Sequence, residues 1–235
     1  MAAERKHTMQ RVSDRDRKVI DHVARYRLTT IPVLKKAVLH GLSSNAVAKI
    51  ANRLTFAGYL QKFTLLHPAR YFMLGDKGAA MLGRSGRSGQ AAGSQSLPTD
   101  YGVLAYATLG AQSRWRMLRS EVTSLCPWLS DRLASAPHCC DAAKATLELI
   151  RVDLGGSADH VARKCVADLR ERLAIPEFAR MVAQSQFRLV VITATREKAV
   201  AIQQAMNRHE WPSGLTIHLS VVSHLLSLIA RTHHA

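Results

Sequence analysis

The chain has 235 residues, 47% hydrophobic and 21% charged, a globular balance long enough for one large or two small cores. It carries 33 Lys and Arg against 17 Asp and Glu, a formal net charge of +16, and no apolar run long enough to cross a bilayer. Composition therefore excludes a disordered chain and a membrane span, and the polar start Met1–His7 has no apolar signal core, so the expected compartment is the cytosol.

In chain order, Ser13 can cap a first helix whose stripe is Val19, Ile20, Val23 and Tyr26. A second helix starts near Thr30 with Pro32 in its first turn, presents Ile31, Leu34 and Val38, and is expected to stop at Gly41. Ser43 or Ser44 caps a third, with Val47, Ile50, Ala51 and Leu54 inward and Gly58 at its end. Two β-prone runs follow, Tyr59–Leu66 and Arg70–Leu74, joined at His67-Pro68-Ala69. Gly75–Gly78 reads as a turn, and Ala79–Leu82 starts another helical turn. Three helices and a hairpin, with a tight connection between the second and third helices, form the order of a winged helix-turn-helix.

Charge agrees with that order. Residues 1–90 hold 17 Lys and Arg but only Glu4, Asp14, Asp16, Asp21 and Asp76 as acids, a surplus of 12, whereas the rest of the chain has a surplus of four. A field of that sign attracts polyanions, with nucleic acid foremost and an anionic membrane surface second, although no basic helix with a bulky aromatic face supports the latter. With the third helix in the major groove, Ser44, Asn45, Lys49, Asn52 and Arg53 lie on or near its outer face, beside the small Ala48. Asn can bond adenine edges, and Lys or Arg can bond guanine edges or phosphates. Lys62 and Arg70 on the hairpin and Lys35 and Lys36 on the second helix are placed for the flanking backbone.

From Gly83 to Thr99 the composition turns to glycine and serine, which predicts a flexible linker over 84–99 between a unit at 1–83 and a second at 100–235. In the second, Cys139–Ala145 and Thr146–Asp153 read as paired strands, Ala158–Leu173 as a helix and Arg188–Thr193 as a strand covered on both faces. Arg196–Arg208 is helical, Leu215–Leu219 a strand and Ser223–Ala230 a closing helix. The expected class is mixed α/β with parallel neighbours. Cys126, Cys139, Cys140 and Cys165 lack C-x-x-C spacing and His233-His234 reads as a tail, so neither disulfide framework, metal nor cofactor is expected.

The stretches Leu60–Leu82 and Leu147–Thr193 make the chain resemble the replication-relaxation family of plasmids and integrative elements. That resemblance implies a winged helix joined to a restriction-endonuclease-like α/β domain, and so raises a metal-dependent nuclease. Asp141 fits the first acid of such a site, but Arg151-Val152-Asp153 puts Arg where an acid is wanted. Arg151 and Asp153 share a face by period two and read as a neutralising pair, with Glu148 on the opposite face. An Arg there opposes a Mg²⁺ site. The expectation is a non-enzymatic, sequence-specific double-stranded DNA-binding regulator of a mobile element, dimeric through an inactive nuclease-like platform. The alternatives are an origin-binding accessory factor for plasmid replication or mobilisation, and a metal-dependent DNA nuclease.

Overall fold

A computed structural model describes residues 12–84, 90–110 and 113–233. The polar Met1–His7 start, the middle of the expected linker (85–89) and His234 lie outside the described residues.

The N-terminal unit is built from α1 (Asp14–Tyr26), α2 (Ile31–Ala37), α3 (Ser44–Phe56), the hairpin β1 (Leu60–Leu66) and β2 (Ala69–Leu74), and α4 (Asp76–Met81). Ser13 and Ser43 cap α1 and α3, each accepting a hydrogen bond from the backbone N–H three residues on. Gly58, at φ +81°, turns the chain off α3 into β1. Two expectations shift. α2 ends at Ala37, before Gly41, because Val38 leaves helical geometry at φ −128°. The expected Gly75–Gly78 turn is largely the first turn of α4. Thr29 exchanges two backbone hydrogen bonds of 2.9 Å with Phe72, covering part of the outer edge of β2. Val19, Val23, Leu34, Val47, Ile50, Leu54, Leu60 and Phe72 fill the core between these elements.

The remainder runs α5 (Ser96–Leu109), β3 (Arg114–Met117), α6 (Arg119–Leu125), α7 (Asp131–Ala134), β4 (His138–Asp141), β5 (Thr146–Val152) and α8 (Ala158–Leu173). Then come α9 (Pro176–Ala183), β6 (Phe187–Thr193), α10 (Arg196–Met206), β7 (Thr216–Val221) and α11 (Leu225–His233). Among the described residues the strands form one mixed sheet in the order β3-β4-β5-β6-β7. β3, β4 and β5 are antiparallel neighbours, whereas β5, β6 and β7 run parallel. Residues of β6 alternate between two buried layers, Leu189 and Val191 on one side and Val190 and Ile192 on the other. α6 to α10 line the first layer, and α5 and α11 the second.

The linker expectation is corrected at its C-terminal end. Residues 96–99 form the first turn of α5, and α5 is buried on every side from Leu97 to Ala107. Its apolar layer includes Tyr26, Leu28, Val33, Leu65 and Tyr71 from the N-terminal unit together with Ile150 and Val190 from the sheet. The two halves therefore share one core. Gly102 lets α5 lie close against β5, since a Cβ there would sit 3.1 Å from the Val152 side chain. Polar ties join the same surfaces. Arg25 donates both terminal nitrogens to Glu121 at 2.7 and 2.8 Å, Arg116, itself paired with buried Asp100, donates to the Tyr26 carbonyl at 3.0 Å, and Arg231 reaches the Leu65 carbonyl at 2.7 Å.

Candidate nucleic-acid interface

With Val47, Ile50, Ala51 and Leu54 buried, the opposite face of α3 carries Asn45, Lys49, Asn52 and Phe56, all exposed. Their spacing of four, three and four residues aligns them in one stripe. Ser44 and Arg53 flank it and are also exposed, and Ala48 is half-buried. Lys49, like Lys35 on α2, forms no hydrogen bond or ion pair with the described residues. Lys62 on β1 donates to the Asn52 side-chain oxygen at 3.2 Å, so the hairpin and α3 present one continuous polar surface.

Other expected contacts are committed elsewhere. Arg53 donates to Asp16 of α1 at 2.5 Å. Burial pushes the Asp16 carboxyl up, but the bonds from Arg53 and Ser13 and the nearby Arg charges outweigh it and hold it below the ordinary carboxylate range. Lys36 is exposed but already engaged. Its ammonium donates to the Leu109 and Gly110 carbonyls at 2.5 and 3.1 Å, capping the C-terminus of α5. Arg70 bonds the Thr64 hydroxyl across the hairpin and remains exposed. The structure thus gathers Ser44, Asn45, Lys49, Asn52 and Lys62 on one surface, keeps Arg53 at its flank and diverts Lys36.

Phe56 was not among the expected site residues. It is the last residue of α3 and 96% exposed, whereas the other exposed large hydrophobics lie between 37% and 57%. Continuing the polar stripe of α3 by one more turn in the sequence would have found it.

The chemistry expected around Asp141 takes a different form. Glu148, wholly buried, accepts from the Tyr106 hydroxyl at 3.0 Å, from Arg114 at 3.3 Å and from Arg188 at 2.7 Å. Asp141 lies 3.6 Å from Arg188 and 3.9 Å from Arg114. Two carboxylates and two guanidiniums close a neutral cluster under the last turns of α5, with Arg114 also stacked 4.6 Å over the Tyr106 ring. Burial and the neighbouring Glu148 charge raise the Tyr106 hydroxyl above its ordinary pKa. The expected Arg151–Asp153 pair does not form. Arg151 bonds Asp168 of α8, while Asp153, one residue past β5, accepts from the Thr193 hydroxyl at 3.3 Å and lies 4.0 Å from Lys198. Among the described residues no group of three or more His, Cys, Asp or Glu is placed to hold a metal ion. The donor set around Asp141 does not fit a divalent cation, because two guanidiniums within 4 Å oppose a second positive charge, even though Asp141 Oδ2 itself accepts no hydrogen bond among the described residues.

Comparisons with protein-family models, with curated proteins and with solved structures return no match for this chain. The surface of α3 therefore has to be judged on its own chemistry. No helix among the described residues is long and apolar enough to cross a membrane.

Proposed function

We propose that this protein binds double-stranded DNA in a sequence-selective way through α3 and the β1–β2 hairpin, in the manner of a winged helix-turn-helix, and acts as a transcriptional regulator. The observation that carries the reading is the exposed stripe Asn45, Lys49 and Asn52, joined to the hairpin by Lys62. Two carboxamides and a cation along one helix match the donor and acceptor pattern of base edges in the major groove. Lys35 and Arg70, exposed on either side, supply phosphate contacts that fix the helix in register. The mobile-element setting, and the restriction-endonuclease-like reading of the sheet, rest on the sequence resemblance alone. The nuclease alternative lacks support from the Asp141–Glu148 cluster, since its carboxylates are matched by Arg114 and Arg188.

A homodimer through the C-terminal sheet is part of the proposal, because one recognition helix reads a short sequence and a symmetric pair reads two half-sites. Sedimentation of the full chain with and without DNA checks it; monomer alone at micromolar concentration removes it. DNA retention by the full chain across a salt series checks the main reading. A steep fall of log affinity with log salt, and a residual preference for a selected site over random duplex, are expected. No retention in dilute buffer would end it.

A further inference from the structure

Phe56 stands apart from every other apolar side chain at the surface. At 96% exposure its ring is left open by the described residues, and it ends a helix whose other outward residues include Asn45, Lys49 and Asn52. A protein–protein patch is a cluster of apolar groups with charge excluded from its centre. Phe56 is instead in line with Lys49 and two carboxamides, on a segment with a surplus of 12 positive charges. That setting favours a polyanion that also offers an apolar group. Duplex DNA does so in its major groove through the thymine C5-methyl, which Phe is among the residues to contact.

We propose that Phe56 is a specificity-determining residue that packs against a thymine methyl, so that the binding site carries a fixed T·A pair. This rests on the DNA-binding reading given above. The eleven residues from Asn45 to Phe56 rise about 16 Å along the helix. With α3 laid along the groove, which winds around the duplex, the thymine falls at most about five base pairs from the base edge that Asn45 meets, at 3.4 Å of axial rise per step. Asn45 and Asn52 then favour adenine, Phe56 favours thymine, and the preferred site is rich in A·T pairs.

The test uses the full chain and Phe56→Ala, with Phe56→Leu as the conservative variant. Because the ring touches solvent almost everywhere, both variants are expected to fold as the parent does, which thermal melting checks. A preferred site is selected from random duplexes with the parent protein, and each thymine is then replaced singly by uracil, which pairs identically but lacks the methyl. One position is expected to cost the parent about fourfold in affinity, the value of one buried methyl-sized group. At that position Phe56→Ala should lose its sensitivity to uracil, and Phe56→Leu should keep part of it. Equal uracil sensitivity in parent and Phe56→Ala overturns the proposal while leaving DNA binding intact. So does a Phe56→Ala variant that alters only self-association by sedimentation. If the parent selects no site at all, the DNA-binding reading itself fails and takes the proposal with it.

Discussion

Removing Glu148 should cost far more in stability than in any reaction. Its side chain is fully buried and accepts from Tyr106, Arg114 and Arg188, and the nearby Asp141 is the other carboxylate facing these two arginines. Glu148→Ala would leave two buried guanidiniums facing a single carboxylate 3.6 and 3.9 Å away. Losing one partner of a buried ion pair typically costs about 3–5 kcal/mol, because the surviving charge stays desolvated. For a chain of this size each kcal/mol moves the melting temperature by about 2–4 °C, so the melt should fall by roughly 6–20 °C. Glu148→Gln keeps the shape and an acceptor for Arg188, and should lose less. The double variant Glu148→Ala/Arg188→Ala should lose less than the two single changes added together, since the second change removes a charge that the first has stranded. Calorimetry of the parent, Glu148→Ala, Glu148→Gln, Arg188→Ala and the double variant measures all of this. A melt for Glu148→Ala within 2 °C of the parent, or strictly additive losses, would refute the picture of a neutral structural cluster.

Three further outcomes follow from other parts of the molecule. Lys49→Ala or Asn52→Ala should weaken binding to a selected site by about 1–3 kcal/mol where a base edge is read, and equal loss on random duplex would mark a phosphate contact, with the salt slope shallower by about one for the charged Lys49 alone. Burial, with Arg172 adding to it, holds the His138 imidazole down at about 4, against 6.5 in the unfolded chain. The unfolded chain therefore takes up this proton first, and the contribution is complete above pH 6.5 and lost as pH falls toward 4, about 2 kcal/mol between pH 7 and 5. Among the described residues neither ring nitrogen makes a well-formed hydrogen bond, the Ala136 backbone being only a weak neighbour, so His138→Met should flatten that slope in urea titrations with little loss at pH 7. A steep slope retained in the variant would assign the pH dependence to other groups. Gly78→Ala places a Cβ 2.3 Å from the Tyr59 carbonyl oxygen and should cost about 1–3 kcal/mol by forcing α4 away from β1, read as a lower urea midpoint.

What the sequence discloses depends on whether an element is one-sided. α1 and α3 each have a wet face and a dry face, so the apolar spacing and the serine caps locate them within a residue. α8 matches its sequence bounds for the same reason. α5 is dry all round, so it has no period to detect, and its start is disguised by the serines before Leu97. The period-two argument for Arg151 and Asp153 fails because β5 stops at Val152, and past that point alternation no longer governs where a side chain goes. Arg151 turns instead to Asp168, a residue on a helix that only the tertiary fold brings near. Glu148 is likewise out of reach of sequence reasoning, since its partners come from α5, β3 and β6. Along α3 the expected stripe ends at Arg53 because polarity marks it, and Phe56, one turn on, is apolar.

The C-terminal half keeps its small surplus of four, because its buried arginines are matched by an equal number of buried acids. Arg114, Arg116, Arg172 and Arg188 are almost entirely withdrawn from solvent and matched by Asp100, Asp141, Glu148 and Asp168. Their charge holds the sheet and its helices together and projects little outward. On the N-terminal unit, Lys35, Lys49, Lys62 and Arg70 are all exposed, while Asp16 is spent on Arg53. The outward positive potential is therefore concentrated around α3 and the hairpin. The shared core at α5 then fixes that surface relative to the sheet, through Lys36 on the end of α5 and Arg25 on Glu121. In a dimer built on the sheet, the separation of two α3 helices would follow from packing rather than from the length of a tether, so the proposed half-sites should tolerate little variation in spacing.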